Sequence, residues 1–295
     1  MLLKLIYLDK LRIKKSNMVE KRILVINIPV VHKGFLDFIK KNQKNISIIY
    51  LAENKLVEKI LGVKEDIASF DHKTAQKFLT VLGFKKVQVL SEKNITELKN
   101  KKLLLVNDKF SRELVKLYFI EKNIKWDKVF LRWDNDSVIS NHSLHEKKSK
   151  SLKDKSWMKE AYKEAHKSGC WWRNVGAVVV KDGSIILRDY NEGVPSDYTP
   201  YQVGHIRDYV KAGEKQELSS TIHGEQKIIA EAARKGISLE GASLYITHFP
   251  CPVCVKIIIF SGIKHCFFSE GTANLSGEKM LKLFGIKLLA VNIKK

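Results

Sequence analysis

The chain of 295 residues carries 53 Lys and Arg against 32 Asp and Glu, which gives a formal net charge of +21 at pH 7. This length is enough for two modest domains, and a hydrophobic fraction of 44% is typical of a globular protein with a packed core. The sequence has no apolar run of about 18 residues, which excludes a membrane-spanning helix of the usual kind. Four cysteines do not suggest a disulfide framework, so we expect a reducing, cytoplasmic location.

The large positive charge can arise in two ways. A strongly basic protein often binds nucleic acid. The excess here is mostly Lys, spread over the whole length, whereas Arg is the residue better suited to phosphate and guanine contacts. A lysine-rich proteome, or the attraction of small anionic nucleotides, explains the same charge.

Residues 1–20 form a basic leader with little hydrophobic pattern, which we expect to be poorly ordered, and Met18 is a candidate initiator. From Arg22 onward, short apolar runs alternate with amphipathic segments, which is typical of a parallel α/β arrangement. We therefore predict a Rossmann-like accessory domain at 21–135. Its predicted strands cover 22–28, 46–51, 86–90, 102–106 and 126–131, and its predicted helices cover 35–41, 54–61, 73–82 and 111–122.

No nucleotide-binding motif marks this first domain. The sequence has no G-x-G-x-x-G after the first strand and no G-x-x-x-x-G-K-[ST], which argues against the usual dinucleotide fold and against a P-loop kinase. His32 and Gly34 follow the first strand, where the start of a helix could hold a phosphate. Asn107 and Asp108 could line a crevice or cap a helix. A scaffold role and a ligand-sensing role are both open.

Residues 136–155 are polar and charged, and we predict a linker there. The second predicted domain, 156–295, opens with a helix at 157–167. A β-hairpin with an Asp182-Gly183 turn follows, and then a long insertion. We predict that the next helix begins near Thr221 with Ser219 or Ser220 as its N-cap. The remaining predicted elements are helices at 221–235, 252–261 and 277–284 and strands at 242–247, 264–269 and 287–291.

The strongest chemical signal is a His and Glu pair followed by two cysteines. His223 and Glu225 lie two residues apart, and Pro250 opens a Pro-Cys-x-x-Cys sequence that contains Cys251 and Cys254. A catalytic zinc ion takes three protein ligands and leaves its fourth position to water, and the His and the two cysteines would supply the three. Two cysteines at this spacing can point inward from the first turn of a helix, whose partial positive charge favours thiolates. Glu225 would then transfer protons rather than bind the metal.

Each half of this pattern is ambiguous when it stands alone. Cys-x-x-Cys occurs in structural zinc sites and redox pairs, and His-x-Glu is commonly a solvated helix face. A structural zinc site would need a fourth ligand, for which Cys170 and Cys266 are candidates. The combination of both halves in this order favours the H-x-E…P-C-x-x-C pattern of zinc-dependent nucleobase deaminases.

From about residue 156 to the end, the sequence resembles the cytidine/deoxycytidylate deaminase superfamily, and most closely its deoxycytidylate (dCMP) deaminases. The resemblance rests on residues 173–178, 181–183, 190–191, 221–225, 244–247, 250–254 and 261–263. It implies a mixed five-stranded sheet flanked by helices, with zinc between two helix N-termini. It also implies that Asn191 contacts the sugar hydroxyl of a bound nucleotide. The chain departs from the family at Gly224, where the family usually has Ala.

The resemblance implies hydrolytic deamination of a cytosine nucleotide, most simply dCMP to dUMP, with release of ammonia. The backbone of Gly224 and of the segment around Pro250 would hold the edge of the ring. Asn191 and His223 are 32 positions apart, which is longer than the usual connection in transfer-RNA adenosine deaminases and favours a free nucleotide. The candidate partners of a 5′-phosphate are Arg173, Arg207 and Lys211.

Two other hypotheses compete with a dCMP-type enzyme. One is a deaminase that acts on cytosine or adenine within DNA or RNA, which the charge favours. The other is a non-catalytic protein with structural zinc, which the presence of Glu225 argues against. The resemblance also implies a homo-oligomer, and a nucleotide effector is a further candidate partner.

Overall fold

The structure, a computed structural model, describes residues 21–62, 69–131, 148–206, 209–210, 214–271 and 276–293. The predicted leader, most of the predicted linker, Arg207 and Lys211 lie outside the described residues. Within them, no helix is both long enough and apolar enough to cross a bilayer.

Five parallel strands form the sheet of the N-terminal unit, which we define as residues 21–131. The strand order is β3-β2-β1-β4-β5, so the predicted parallel α/β arrangement is confirmed. In chain order the elements are β1 (Arg22–Ile26), α1 (Lys33–Asn42), β2 (Ile46–Ala52), α2 (Asn54–Leu61), α3 (His72–Val81), β3 (Val87–Leu90), β4 (Leu103–Val106), α4 (Lys109–Tyr118) and β5 (Ile124–Asp127).

Both faces of this sheet are covered, which explains its continuous apolar strands. Successive side chains of a strand point to opposite faces. Accordingly, Leu24 and Ile26 of β1 pack into one core, and Val25 packs into the other. Strands that are buried on both faces have unbroken hydrophobic sequences rather than alternating polar and apolar residues.

The last strand of this sheet ends earlier than the sequence predicts. A strand is predicted at 126–131, but β5 pairs with β4 only from Ile124 to Asp127. Val129 and Phe130 continue over the carboxyl edge of the sheet and join one of its cores. A methyl group on Gly34 would lie 1.6 Å from the carbonyl oxygen of Val129, so the start of α1 accepts this segment only because residue 34 lacks a side chain.

The C-terminal unit, which we define as residues 148–293, contains a mixed sheet flanked by helices. Its strand order is β12-β11-β10-β6-β7, with β6 antiparallel to both neighbours and the remaining pairs parallel, so the predicted five-stranded mixed sheet is confirmed. The elements are α5 (Leu152–Ala165), β6 (Gly176–Lys181), β7 (Ser184–Tyr190), β8 (Glu192–Gly193), α6 (Thr199–Val203), β9 (Thr221–Ile222), α7 (Gly224–Lys235), β10 (Ser243–His248), α8 (Pro252–Phe260), β11 (His265–Glu270), α9 (Gly277–Leu283) and β12 (Lys287–Ala290).

Two helix starts differ from the sequence prediction. Helix α5 begins at Leu152, five residues before the predicted start, because the hydroxyl of Ser151 caps it by accepting a hydrogen bond from the amide of Asp154. Helix α7 begins at Gly224 rather than at Thr221, and the prediction of Ser219 or Ser220 as its cap is wrong. Thr221 and Ile222 are instead extended because they pair with β8. The boundaries of the two predicted domains stay a prediction.

The insertion, which we define as residues 192–222, packs against the carboxyl edge of the N-terminal sheet. Tyr198 is buried in a core of that sheet, with its ring centre 5.7 Å from that of Phe35. Tyr201 stacks on His32 with ring centres 4.2 Å apart, and its hydroxyl accepts a hydrogen bond from the amide of Leu131. His32 is the N-cap of α1, and its Nδ1 accepts a hydrogen bond from the amide of Gly34. The helix start that could have held a phosphate is therefore capped by the chain itself.

Candidate metal centre and active site

Two helix N-termini bring the His and Cys residues of the motif together. His223 is the N-cap of α7, and its backbone amide donates a 2.9 Å hydrogen bond to the side chain of Gln226. Strand β10 leads into Cys251, the N-cap of α8, and Cys254 lies within the first turn of that helix. The positive ends of both helices therefore face the same point, as expected of a site that holds thiolates.

Among the residues that the structure describes, the three predicted ligands form one group that could hold a metal ion. The ligand atoms of His223, Cys251 and Cys254 all lie within 4.8 Å of one another. The Nδ1 atom of His223 is 3.4 Å from Sγ of Cys251 and 3.3 Å from Sγ of Cys254. Neither Cys170 nor Cys266 belongs to this group, so no fourth ligand from the described residues closes the site. One imidazole and two thiols are a donor set that suits zinc with an open position.

The two thiols differ in their acidity before a metal binds. A hydrogen bond from the Cys254 thiol, together with the nearby His223, lowers the pKa of Cys251 to about 4. The same hydrogen bond raises the pKa of Cys254, because its proton is shared with the neighbouring thiolate. One thiolate is thus available to begin metal binding at neutral pH, and binding then displaces the second proton.

Glu225 is buried beside these ligands. Its side chain is 3% exposed, and burial raises its pKa to about 7, a rise that His223 opposes and Cys251 adds to. The carboxylate does not belong to the group of metal-ligating atoms. A carboxyl group with a pKa near neutrality can both accept and donate a proton under ordinary conditions.

A pocket opens over this group and contains several of the predicted residues. Arg173 and Asn191 line it, while Gly224 and Pro250 are buried but are not among its lining residues. Arg207 lies outside the described residues, so its predicted contact stays a prediction. The complete lining consists of Cys170, Arg173, Val175, Asn191, Gln216, Thr221, His223, Glu225, His248, Phe249 and Cys251.

Asn191 is held firmly in the pocket wall. Its Oδ1 accepts a 2.7 Å hydrogen bond from the amide of Val175, and its Nδ2 donates a 2.8 Å hydrogen bond to the carbonyl oxygen of Arg173. Its own amide donates to the carbonyl oxygen of Val175 at 2.9 Å. These three bonds use one hydrogen of the side-chain amide and leave the other for a ligand.

The sequence prediction missed His248, which precedes Phe249 in the pocket wall. Its Nδ1 lies 2.9 Å from Oγ1 of Thr247, and its Nε2 lies 3.2 Å from a carboxylate oxygen of Glu270. Glu270 in turn accepts a 2.7 Å hydrogen bond from Tyr162. A His three residues before the first metal-binding Cys is a signal that the spacing alone could have offered. Gln216, which the insertion supplies, carries no comparable signal.

Comparison with known proteins agrees with this site. A model of the cytidine and deoxycytidylate deaminase zinc-binding region matches residues 151–270. The deoxycytidylate deaminase of Enterobacteria phage T4 is 32% identical over 152 residues, which cover 40% of this chain and 78% of the phage protein. ComE operon protein 2 of Bacillus subtilis is 31% identical over 114 residues, which cover 39% of this chain and 57% of that protein. The tRNA-specific adenosine deaminase of Bacillus subtilis is 33% identical over 118 residues, which cover 39% of this chain and 60% of that enzyme.

The chain belongs to the cytidine and deoxycytidylate deaminase family. This confirms the prediction of an enzyme of the zinc-dependent hydrolase class, with zinc as its metal. The matched region lies in the C-terminal unit and leaves the N-terminal unit outside the family resemblance.

Proposed function

We propose that the protein is a hydrolytic deaminase of a free cytosine nucleotide and that it converts dCMP and water to dUMP and ammonia. The observation that carries this proposal is the buried carboxyl group of Glu225 beside the metal-binding group of His223, Cys251 and Cys254, in a pocket that Asn191 also lines. The similarity to a phage deoxycytidylate deaminase supports the choice of nucleotide.

In this reaction three residues would hold the metal and Glu225 would carry out the proton transfers. Zinc held by His223, Cys251 and Cys254 would activate a water molecule for attack on the carbon that bears the amino group. Glu225 would take a proton from that water and give it to the ring nitrogen while the hydroxide adds to the carbon. It would then move the proton of the new hydroxyl group to the amino group, so that the carbon–nitrogen bond breaks and ammonia leaves. The pKa of about 7 suits a group that must act as base and then as acid.

Substrate recognition is assigned to the remaining polar residues of the pocket. The second Nδ2 hydrogen of Asn191 would donate to the sugar hydroxyl, since the first is engaged by Arg173. Arg173 is the candidate for the 5′-phosphate among the described residues, and Arg207 is its candidate partner. The backbone at Gly224 and Pro250 would hold the edge of the cytosine ring.

The position of the insertion supports a free nucleotide rather than a polymer. The insertion contributes Gln216 to the pocket wall and is anchored on the N-terminal unit through Tyr198 and Tyr201. A pocket with a wall of this kind suits a mononucleotide better than a continuous strand. The similarity to a tRNA adenosine deaminase, together with the net charge, keeps a nucleic-acid substrate as the alternative to be tested.

We also propose that the protein assembles as a homo-oligomer. Three large apolar side chains near the ends of α8 and α9 are exposed: Phe260 by 85%, Leu283 by 83% and Phe284 by 60%, and the ring centres of Phe260 and Phe284 lie 6.2 Å apart. A contiguous exposed apolar patch commonly marks a protein interface. Light scattering of the wild type and of Phe260→Ser tests this, and an unchanged monomeric mass for both would contradict it.

Ammonia release tests the catalytic proposal directly. The panel contains dCMP, CMP, dCTP, deoxycytidine, single-stranded DNA and transfer RNA, and zinc is quantified for each protein. We expect dCMP turnover by the wild type and a loss of about 10²- to 10⁴-fold in Glu225→Gln with zinc retained, because this change removes proton transfer but no ligand.

Glu231→Gln is the matched control for that substitution. Glu231 lies on the same helix, and its carboxylate pairs with Arg234 and Lys235, which face solvent. It should leave turnover unchanged. Activity on the polymers alone would replace the dCMP assignment with the nucleic-acid alternative, and full activity of Glu225→Gln would refute the role of Glu225.

A further inference from the structure

Two cations of the N-terminal unit reach the strand segment that carries Asn191. Arg112 of α4 donates a 2.7 Å hydrogen bond to the hydroxyl of Tyr190, the residue before Asn191. Lys109 of the same helix lies 2.8 Å from a carboxylate oxygen of Glu192, the residue after it. The pocket residue is thus flanked on both sides by contacts from a part of the chain that lies outside the match to the deaminase family.

The same two flanking residues are also contacted by α7, the helix that begins after His223. Lys227 of α7, two positions after Glu225, lies 2.6 Å from a carboxylate oxygen of Glu192. Its ammonium group also lies 4.3 Å from the centre of the Tyr190 ring. The end of β7 is therefore contacted both by α4 of the N-terminal unit and by α7 of the C-terminal unit.

Several contacts besides the one to Tyr190 fix the position of the Arg112 guanidinium group. Its side chain is 14% exposed and makes two more hydrogen bonds, to Oδ1 of Asn107 at 2.8 Å and to the carbonyl oxygen of Lys167 at 3.3 Å. The buried carboxylate of Asp197, in the insertion, lies 3.9 Å away. A planar guanidinium group with several hydrogen-bond partners has little freedom to move. A displacement of α4 would therefore displace the hydroxyl of Tyr190 as well.

The insertion of the C-terminal unit packs at the edge where such a sheet would ordinarily bind a ligand. In open α/β sheets, ligands bind at the carboxyl edge where the strand order reverses, which here lies between β1 and β4. Tyr198 of the insertion occupies this edge and donates a 2.8 Å hydrogen bond to Asp108, which follows β4. The edge at which sheets of this kind bind ligands thus holds the insertion in this protein.

We propose that Arg112 and Lys109 are positioning residues of the active site, through which the N-terminal unit supports the pocket wall at Asn191. They hold Tyr190 and Glu192 so that the amide of Asn191 stays where the nucleotide sugar meets it. This inference rests on the proposed nucleotide deaminase function.

The test compares substitutions in full-length protein. Arg112→Ala and Tyr190→Phe each remove the same hydrogen bond, and Tyr190→Phe keeps the ring and the fold if the first variant fails to fold. Lys116→Ala is the matched control, because Lys116 is a cation of the same helix that is 68% exposed and pairs only with Glu113 among the contacts of the described residues.

Two readouts separate positioning from general stability. We expect kcat/KM for dCMP to fall about tenfold or more in Arg112→Ala and Tyr190→Phe, mainly through KM, with zinc content unchanged. The double variant should lose no more than Arg112→Ala alone, because the hydrogen bond that Tyr190→Phe removes is already absent there. Arg112→Lys keeps the positive charge but not the planar guanidinium group, so its kcat/KM should lie between those of Arg112→Ala and the wild type. Hydrogen–deuterium exchange should rise in peptides that cover residues 186–193, and Lys116→Ala should match the wild type in both readouts.

Each outcome bears on the inference. Unchanged exchange, or raised exchange with unchanged kcat/KM, overturns it. If the wild type does not turn over dCMP, the proposed substrate fails, and the comparison is repeated with the nucleotide that it does turn over. If it turns over none, exchange without substrate decides whether the N-terminal unit holds the Asn191 segment.

Discussion

The substitution Tyr198→Phe isolates one buried hydrogen bond between the two units. The hydroxyl donates to Oδ2 of Asp108 at 2.8 Å, and the two side chains are 3% and 1% exposed. The ring keeps its packing against Phe35 and Phe130, whose ring centres lie 5.7 and 5.2 Å away. The cost is therefore the loss of a hydrogen bond to a buried charged acceptor, about 1.5–3 kcal/mol in the free energy of unfolding. This corresponds to a factor of roughly 10 to 150 in the folding equilibrium.

The pH dependence of this effect follows from Asp108. Burial raises the pKa of its carboxyl group, and the hydrogen bonds from Ser111 and Tyr198 oppose the rise. Without the hydroxyl the pKa rises further. An acid whose pKa is raised by folding makes stability fall as the pH rises through that pKa. The destabilisation by Tyr198→Phe should therefore be largest where the carboxyl group is ionised, and it should shrink as the pH falls and the carboxyl group takes up a proton.

Urea denaturation followed by tryptophan fluorescence measures this change, at neutral pH and again in mild acid. Tyr209→Phe is the matched control, because that residue also lies in the insertion and is 79% exposed. An unfolding free energy of Tyr198→Phe equal to that of the control at neutral pH would refute the reasoning. A destabilisation that grows in acid would show that the ionised form of Asp108 is not the one that the hydroxyl stabilises.

Three further predictions concern the glycines and the metal ligands. Gly224→Ala should keep zinc and raise the thermal unfolding temperature. The added methyl group would lie 3.5 Å or more from its nearest neighbours, and Ala is more favourable than Gly in a helix by up to about 1 kcal/mol. A lower unfolding temperature would contradict this. Gly176→Ala should lower the free energy of unfolding by about 3 kcal/mol or prevent folding, because its methyl group would lie 2.0 Å from the carbonyl oxygen of Ala161. A soluble variant with the wild-type denaturation midpoint would count against this. Cys254→Ser should abolish stoichiometric zinc binding, whereas Cys266→Ala should retain it. Atomic emission measures the zinc content, and equal zinc in both variants would disprove the ligand assignment.

Several features of the site could be predicted because they depend on local sequence. His223 and Glu225 are close in the chain, as are Cys251 and Cys254, and each pair sits where a strand leads into a helix. Any fold that keeps these short segments intact presents the same side chains at the helix N-termini. The helix starts were less certain, because β8 and β9 pair across the insertion and extend the backbone up to Ile222.

The residues that were missed depend on contacts between distant segments. Gln216 lines the pocket because the insertion folds back over it, and no local pattern marks that position. His248 has a local signal, but its partner Glu270 comes from a different strand.

From the sequence alone one can predict the α/β class, the order of the two sheets along the chain, the three candidate zinc ligands and the family. These follow from hydrophobic periodicity and from side chains a few residues apart, which interact whatever the rest of the chain does. The tertiary structure was needed to show that the insertion packs against the carboxyl edge of the N-terminal sheet. The structure also shows that Arg112, 79 positions before Asn191 in the chain, donates a hydrogen bond to Tyr190, the residue before Asn191. Such contacts depend on how two separately patterned units pack together, and packing depends on the shapes of whole surfaces rather than on the spacing of residues along the chain.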